Sequence, residues 1–431
     1  MLFDRKKGEF MEEKTLLVDI SEKPKPLQWF FLSFQHIFAM FGATILVPIL
    51  TGYPTSVALF ASGLGTIIYT VCTKRKVPVY LGSSFAYIGA VQIAIASMGG
   101  DKSAAQTGLI LVGAIYIIIA LIINFTGKNW IDKLLPPIVI GPMIAVIGLG
   151  LASNAVANAG FVDGGTIESM VVATFTFIVA ASISTRAKGF LKIVPFLIAI
   201  VCGYILAMFL GLVDFTPVKD ANWFEVPHFI LPFATSNFAS YSFYFGPETF
   251  AILPVVIVTI SEHIGDHTVL GKICGKNFLK DPGLQRTLIG DGLATAVSAS
   301  IGGPANTTYG ENTGVIGMTK VGSIYVTVGA AFIAIGLSFC GKIAALINTI
   351  PSPVLGGMSI LLYGVIASNG LRVLVDNKVD FSKQRNLIIA SAMLVIGLGG
   401  AVLPISASAK LSGTALSAIV GVILNLILPK K

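Results

Sequence analysis

The sequence contains few charged residues and few cysteines. Only 12% of its 431 residues are charged, about half the share found in a typical soluble domain, whereas 55% are hydrophobic. The four cysteines form no CxxC motif and no paired spacing, which argues against a disulfide framework or a cysteine–zinc cluster. The formal net charge of +8 comes from basic residues placed between apolar runs, so it does not indicate a nucleic-acid partner. The composition therefore predicts an integral membrane protein surrounded by lipids.

Apolar runs long enough to cross a bilayer follow one another along the chain. A spanning helix needs about 20 mostly apolar residues. The predicted segments are 27–50, 55–73, 82–98, 106–126, 135–155, 169–185, 193–213, 250–270, 287–301, 304–318, 321–340, 353–368, 386–403 and 411–428. The charged stretch 1–25 is predicted as a cytoplasmic tail rather than a cleaved leader. The pattern predicts an all-α integral membrane protein with 14 transmembrane segments.

The lysines and arginines predict the orientation of these segments. With the N-terminus in the cytoplasm, 25 of the 29 basic residues fall in inside connections. The outside connections hold only Lys102, Lys219, Lys342 and Lys410. This asymmetry follows the positive-inside rule. It predicts that both termini are cytoplasmic and that the long polar connection 214–247 is extracellular.

Fourteen segments divide into two sets of seven, which would insert in opposite orientations. We therefore predict two inverted repeats, 26–213 and 248–431, as in many secondary transporters. Segments 3 and 10 correspond in this scheme, and both are short and rich in Gly, Ser and Thr, at 82–89 and 304–312. Interrupted segments in matching positions point to a binding site near the midplane. For either segment alone, small residues that merely let helices pack closely remain an alternative.

Three carboxylates, Glu262, Asp266 and Glu311, lie inside otherwise apolar stretches. A charge at bilayer depth costs roughly 2.5–3.5 kcal/mol even on insertion scales, so it usually serves a function. Glu262 and Asp266 are four residues apart and share a helix face. A carboxylate beside free backbone amides suits a planar ligand with N–H and C=O groups, and a low dielectric favours its neutral form. All three are candidate proton carriers, although Glu262 could instead be a buried carboxyl bonded to a neighbouring helix.

The histidines near these carboxylates do not indicate a metal. His263 and His267 lie in EHIGDH, which is not an HExxH motif and has no third ligand nearby. We therefore predict no metal and no cofactor. Asp291 falls near the cytoplasmic end of its segment, where we expect it to reach solvent in a structural role.

Several other residues are candidates for contacts with a ligand. Phe85 and Tyr309 could stack on the two faces of a planar molecule. Gly310 precedes Glu311 and allows backbone to approach a ligand closely. Gln35 and His36 lie in the middle of the first segment, where a functional role and simple interhelical hydrogen bonding are equally compatible with the sequence.

Four motifs carry a family resemblance: SFQHIFAMFGA (33–43), YLGSSFA (80–86), SEHIGD (261–266) and NTTYGENTG (306–314). They resemble the nucleobase–ascorbate transporter (nucleobase–cation symporter) family, and within it the bacterial carriers of uracil. The resemblance extends from about residue 26 to the C-terminus. One departure is Asp266, where the best-known uracil carrier has a histidine. His267 cannot replace that histidine, since it points roughly 100° away around a helix.

The resemblance implies a division of the fold and a set of site residues. Segments 1–4 and 8–11 would form a core domain, and segments 5–7 and 12–14 a gate domain. Short strands in segments 3 and 10 would pair antiparallel at the site. The carboxylates at Glu262 and Glu311 would hydrogen-bond the base, with backbone contacts at Phe85 and Gly310 and the Tyr309 ring close by. The candidate supporting positions are Gln35, His36, Ala86 and Asn312.

These features predict proton-coupled uptake of uracil across the bacterial inner membrane by alternating access. The resemblance alone implies a homodimer, and Na⁺ is the alternative coupling ion. A carrier of another base such as xanthine is the nearest alternative. An anion carrier on the same architecture would need a basic residue beside segments 3 and 10, where only Lys320 comes near. We find no nucleophile or ligand set for an intramembrane enzyme, and a passive channel is the remaining alternative.

Overall fold

The computed structural model describes residues 2–4, 9–11, 16–127, 129–189, 191, 194–406 and 410–429, and most of them are helical. The basic cluster of the predicted tail, Arg5, Lys6 and Lys7, lies outside these residues. The helices are α1 (Pro26–Thr51), α2 (Thr55–Cys72), α3 (Ile88–Ser97), α4 (Ser103–Thr126), α5 (Asn129–Leu134), α6 (Pro137–Gly150), α7 (Ala152–Asn158), α8 (Ile167–Arg186), α9 (Pro195–Phe209), α10 (Thr216–Asp220), α11 (Pro247–Phe250), α12 (Val255–Cys274), α13 (Leu284–Ser300), α14 (Gly310–Thr319), α15 (Ile324–Ser338), α16 (Gly341–Asn348), α17 (Ser352–Asp376), α18 (Gln384–Leu398) and α19 (Gly413–Ile427).

The strands of the described residues are all short and form two-stranded pairs. They are β1 (Leu2–Asp4), β2 (Glu9–Met11), β3 (Leu81–Ser83), β4 (Ile230–Leu231), β5 (Ala239–Ser240), β6 (Asn306–Thr308), β7 (Val402–Pro404) and β8 (Lys410–Ser412). The pairs β1–β2, β3–β6 and β7–β8 are antiparallel, and β4–β5 is parallel. Of these pairs, only β3–β6 corresponds to the strands expected in segments 3 and 10.

Local sequence signals account for several helix ends. Pro26 and Pro195 occupy the start of α1 and α9, where proline's missing N–H costs nothing. Gly52 follows α1 with φ of 73°, and Gly275 follows α12 with φ of 66°. This left-handed conformation closes helix ends, and glycine adopts it without steric cost.

Each of the fourteen predicted segments contains a helix, but not each helix is long enough to span a bilayer by itself. In the described part of the chain, seven helical stretches are long and apolar enough to cross a membrane. An eighth is possible if α15 and α16, which meet at an 84° bend, form one broken span. Four further apolar helices are shorter: Phe85–Ser97, Pro195–Phe209, Gln384–Leu398 and Gly413–Ile427. The full count of fourteen spans therefore stays a prediction.

Two features of the helices differ from the predicted segments. Helix α17 continues to Asp376, eight residues beyond the predicted end at 368. Its last turns mix apolar and charged residues, and Arg372 contacts Asp376 one turn later at 3.4 Å, which supports the helix beyond the predicted span. Helix α16 was not predicted, because it is too short for a span and follows directly on an apolar run.

The helices pack in two groups. In the first packing group, α13 packs on α4 and α2, α15 packs on α2 and α1, and α3, α12 and α14 join them. In the second packing group, α17 packs on α6, α7 and α8, α9 packs on α8, and α18 and α19 pack on each other and on α6. Small residues allow this closeness in both groups. A Cβ on Gly113 of α4 would collide with the carbonyl of Gly292 in α13, and one on Gly148 of α6 with the carbonyl of Tyr363 in α17.

Candidate substrate site

The site is organised by the antiparallel pair β3–β6, which joins residues more than 200 positions apart. Leu81 pairs with Thr308, Gly82 with Thr307 and Ser83 with Asn306. The ladder continues beyond the strands, since the Ser84 N–H donates to the carbonyl of Ala305 at 2.8 Å and the Tyr309 N–H donates to that of Tyr80 at 3.1 Å. The expected pairing between segments 3 and 10 is therefore present.

Neighbouring helices satisfy the outer edges of this strand pair. The Leu81 N–H donates to Oγ1 of Thr66 in α2 at 2.9 Å. The Asn306 side-chain amide donates to the carbonyl of Ala61 in α2 at 3.0 Å. The backbone carbonyl of Asn306 accepts from the Thr295 hydroxyl in α13. Extended backbone at membrane depth requires such partners, because no water is available there. The strands are thus held inside the first packing group.

A helix begins just after each strand. The 3₁₀ turn Phe85–Tyr87 leads into α3, and α14 begins at Gly310. Neither Tyr87 nor Tyr309, at the N-cap positions, forms a side-chain capping bond. The first turn of a helix leaves backbone N–H groups without intrahelical acceptors, and the helix dipole makes that end positive. Both interrupted segments therefore offer backbone N–H donors beside the β3–β6 pair, which we call the strand crossing.

Glu262, Asp266 and Glu311 converge beside this crossing. Helix α12, which carries the first two, packs against β6, the 3₁₀ turn and α14. The three carboxylates interact electrostatically, and all three side chains are partly accessible although they lie within the helical bundle. Asp266 Oδ2 accepts a hydrogen bond from Thr308 Oγ1 at 2.5 Å. Among the described residues, no other side chain hydrogen-bonds the Glu262 or Glu311 carboxylate.

Gly310 and Phe85 both face accessible space. Gly310 is exposed, and a Cβ built on it would meet no atom within 4 Å. The Phe85 ring is partly accessible and contacts the Tyr363 ring of α17 edge-on, with 6.2 Å between ring centroids. The site therefore lies where the first packing group meets the second. The sequence analysis missed Tyr363, because only the packing of α17 brings it to the site.

The structure places Tyr309 in a more buried position than a stacking partner requires. Its ring fills the space above Gly82, where an added Cβ would overlap it. Its hydroxyl donates to the carbonyl of Ser83 at 3.0 Å and accepts from Thr44 at 3.2 Å. With 3% of its surface exposed, Tyr309 locks the two strands together, and the geometry favours Phe85 as the stacking ring. Ala86, beside Phe85, is buried in the 3₁₀ turn.

His36 and Asn312 form an interhelical contact next to Glu311. The Asn312 amide donates to both Nδ1 and the carbonyl oxygen of His36, each at 3.0 Å. This contact joins the first turn of α14 to the middle of α1. Of the two roles considered for His36, the contact is the interhelical hydrogen bond. Gln35 is half-buried on the same helix and forms no hydrogen bond within the described part of the chain.

Behind the carboxylates, α12 buries two histidines in a polar network. His263 bonds Asp291 Oδ2 through Nδ1 at 2.7 Å and Thr287 through Nε2 at 2.9 Å. His267 bonds the Tyr69 hydroxyl of α2. Asp291 is 1% exposed, so the expectation that it reaches solvent was wrong: it lies between α12 and α13, facing His263. Within the described residues, no group of three or more His, Cys, Asp or Glu is arranged to hold a metal ion.

Known proteins match nearly the whole length of this chain. Residues 27–406 match a family model described as "Permease family". Curated relatives include the uracil permeases of Bacillus caldolyticus (52% identical, 96% of this chain and 95% of the relative) and Bacillus subtilis (49%, 97% of each). The uracil permease of Escherichia coli K12 is 43% identical over 95% of this chain and 93% of its own.

Solved structures with the same fold are more distant. The transmembrane domain of the cyanobacterial bicarbonate transporter BicA aligns with a TM-score of 0.66 at 15% identity, over 95% of this chain and all of that one. The murine anion transporter Slc26a9 in its inward-facing state aligns with a TM-score of 0.68 at 11% identity, over 94% of this chain and 68% of that one. At these identities the likeness concerns the fold alone. Together with the sequence matches and the long apolar helices, it shows that this chain is a multi-pass membrane protein of the permease family, and hence a transporter rather than an enzyme.

Proposed function

We propose that this protein takes up uracil across the bacterial inner membrane, coupled to protons, by alternating access. The main support is the match to uracil permeases over nearly the full length of both chains, at 42–52% identity for four of them from Gram-positive and enteric bacteria. The convergence of Glu262 and Glu311 beside the strand crossing is the structural observation that carries the proposal.

The chemistry of the site suits uracil. The base is flat, with two N–H donors and two carbonyl acceptors. The Glu311 and Glu262 carboxylates accept from the N–H groups, and backbone N–H groups at the start of α14 donate to the carbonyls. The Phe85 ring stacks on the base, and the open space at Gly310 lets the base approach the backbone closely. Hydrogen bonds to a charged group contribute about 1.5–3 kcal/mol each, which suffices for selection among bases.

The same carboxylates provide the proton coupling. Three carboxylates that interact in a low-dielectric environment repel one another, and a bound proton relieves that repulsion. Asp266 already accepts a hydrogen bond from Thr308, whereas Glu262 has no side-chain partner among the described residues. We therefore assign the coupled proton to Glu262, with Asp266 and Glu311 tuning its release. No other cofactor enters the proposal, and Na⁺ is the coupling ion that the experiment below must distinguish from H⁺.

The two packing groups correspond to a core and a gate. The core consists of segments 1–4 and 8–11, and the gate of segments 5–7 and 12–14, drawn from inverted repeats at 26–213 and 248–431. Both termini are cytoplasmic and the connection 214–247 is extracellular. Motion of the core against the gate exposes the site to each side in turn, with the Phe85–Tyr363 contact at the moving boundary. The homodimer implied by the family resemblance belongs to the same proposal, with native mass spectrometry as its test.

Transport of anions is disfavoured despite the fold shared with anion carriers. Helix N-termini can bind anions by themselves, but here three carboxylates lie beside them. Lys320, the candidate positive side chain, lies exposed at the far end of α14. With a rise of 1.5 Å per residue, it is about 13 Å along the helix from Glu311. The side chains that converge at the crossing are acidic, which suits a neutral hydrogen-bonding ligand.

The deciding experiment is uptake of labelled uracil in cells that lack their own carrier. We expect accumulation that a protonophore abolishes and that removal of Na⁺ leaves unchanged. Glu262→Gln should stop net accumulation while retaining exchange of labelled for unlabelled uracil. Competition with unlabelled xanthine should leave uptake unaffected. Absence of uracil accumulation at any pH would overturn the substrate, and undiminished proton-driven uptake by Glu262→Gln would overturn its assigned role.

A further inference from the structure

The N-terminal stretch just before α1 is not a solvated tail but is bound to the first packing group. We call residues 16–23 the tail strap. Val18 pairs with Val321 in a parallel bridge at the junction of α14 and α15. The Leu17 N–H donates to the carbonyl of Lys320 at 2.7 Å, and the Gly322 and Ile324 N–H groups donate to the carbonyls of Val18 and Ile20, both at 3.0 Å. The strap thus pairs with this junction through one β-bridge and the backbone hydrogen bonds beside it.

Two apolar side chains of the strap are buried. Leu16 is 6% exposed and Ile20 is 4% exposed. They join a cluster with residues from the cytoplasmic-side ends of three helices: Leu270 and Cys274 of α12, Ile316 of α14 and Ile324 of α15. A Cβ on Gly322 would lie 2.7 Å from Leu16 Cδ1, so the strap packs directly on the junction. Burial of side chains of this size contributes about 1.5–3 kcal/mol each.

Polar contacts fasten the strap along its length. The Ser323 hydroxyl donates to the carbonyl of Glu22 at 2.5 Å. Lys276, just after α12, lies 3.5 Å from Asp19, an exposed pair that contributes little by itself. The Lys23 ammonium lies 5.7 Å from the Trp29 ring centre. The strap therefore contacts the ends of α12, α14 and α15 together with the start of α1.

Two of these helices carry the carboxylates of the site. Helix α14 has only ten residues, and a helix that short is marginal without tertiary support. Asn312 holds its first turn to α1, and the strap holds its last turn, where Lys320 adopts a left-handed φ of 57°. Because the strap also packs on the end of α12, it connects the two helices that carry Glu262 and Glu311.

We propose that the tail strap is a positioning element that holds α12, α14 and α15 as one rigid body throughout the transport cycle. It acts through the helices and does not touch the substrate. Of the tests of this proposal, only the uptake assays depend on the proposed function; hydrogen exchange does not. The strap would stay docked in every state, so a loosened strap weakens uracil binding without slowing the conformational change.

The first test loosens the strap at one buried side chain. Ile20→Ala should raise the KM for uracil uptake by roughly three- to tenfold, the range of coupling through packed elements, with an unchanged maximal rate per inserted transporter. Ile20→Val should restore the wild-type KM, and Leu17→Ala, at a 74% exposed position, should have no effect. Hydrogen exchange of the purified protein should become faster in α14 but not in α17. Wild-type KM and wild-type exchange in Ile20→Ala would overturn the proposal.

The second test locks the strap in place. Paired residues on adjacent strands are about 4.8 Å apart, within the range that a disulfide spans. The double variant Val18→Cys/Val321→Cys should therefore cross-link on oxidation and still transport uracil within about twofold of its reduced form. Loss of uptake on oxidation, with both single variants and the wild type unaffected, would show that the strap must detach. If the wild type takes up no uracil, the proposed function fails, and hydrogen exchange in α14 still decides the role of the strap.

Discussion

The two interrupted segments share a backbone plan but carry different chemistry. The first arm runs from β3 through Phe85 into α3, and the second runs from β6 through Gly310 into α14. At the start of its helix, the first arm leaves the Phe85 ring partly accessible, whereas Ala86 and Tyr87 are buried. The second arm presents a bare glycine followed by a carboxylate and an amide. Under the proposed function, one arm would supply shape and the other hydrogen bonding, although both begin a helix at the same crossing.

The arms are also interlocked, and their contributions can be separated by mutation. Tyr309 of the second arm lies over Gly82 of the first, and its hydroxyl bonds the Ser83 carbonyl. We call this contact between Tyr309 and Gly82 the interlock. A substitution at the interlock should destabilise both arms, whereas a substitution at the accessible surface of one arm should weaken only the ligand contacts of that arm.

The largest effect on uptake is expected in the second arm, from Glu311→Gln. The amide keeps the size of the side chain but replaces a charged acceptor, whose hydrogen bond contributes about 1.5–3 kcal/mol. Uptake efficiency for uracil should fall about 10- to 100-fold, with normal insertion into the membrane. The control is Glu168→Gln, at an exposed position in the first turn of α8. Equal efficiency in Glu311→Gln and wild type would remove the hydrogen-bonding role from the second arm.

The interlock is broken by Gly82→Ala. The added methyl group overlaps the Tyr309 ring, and overpacking of this kind destabilises a protein by about 1–3 kcal/mol. Thermal unfolding in detergent should occur at a lower temperature, and uptake should fall with it. Gly89→Ala provides a matched control in the same arm, since its Cβ would meet no atom within 4 Å. If the two variants unfold at the same temperature, the arms are not interlocked at Gly82.

The smallest effect is expected in the first arm, from Phe85→Ala. Loss of stacking on a base costs about 1–3 kcal/mol in other proteins, so the KM for uracil should rise roughly tenfold. Phe85→Tyr, which keeps the ring, should remain near wild type in KM. Measurement of uracil binding by thermal shift would separate this loss from a slower cycle. A wild-type KM in Phe85→Ala would remove the stacking role from the first arm.

The sequence predicted some parts of the molecule better than others. The apolar runs placed α1, α2 and α8 to within a few residues, because hydropathy depends on composition along the chain. The antiparallel strand pair came from the family resemblance, since three-residue strands leave too weak a pattern to detect. The site carboxylates were found because a charge in an apolar run stands out at once.

The site and packing features that were missed depend on long-range contacts. Tyr363 reaches Phe85 only through the packing of α17, and Asp291 is buried only because α13 presents it to His263. The tail strap pairs Val18 with a residue about 300 positions away. No local sequence pattern identifies such partners. A polar, charged stretch before the first apolar run is usually solvated, so its sequence does not predict the strap.

The sequence by itself determined that the chain is a helical membrane protein, where its apolar helices lie, and which acidic residues are too costly to bury without a use. These properties follow from the transfer of side chains between water and lipid, which each residue carries wherever it sits. Only the tertiary structure decided which of the polar residues meet. Tyr309 became a lock between strands, His36 a tie to α14 and the tail a strap, because hydrogen bonds require a partner at about 3 Å and only the fold supplies it.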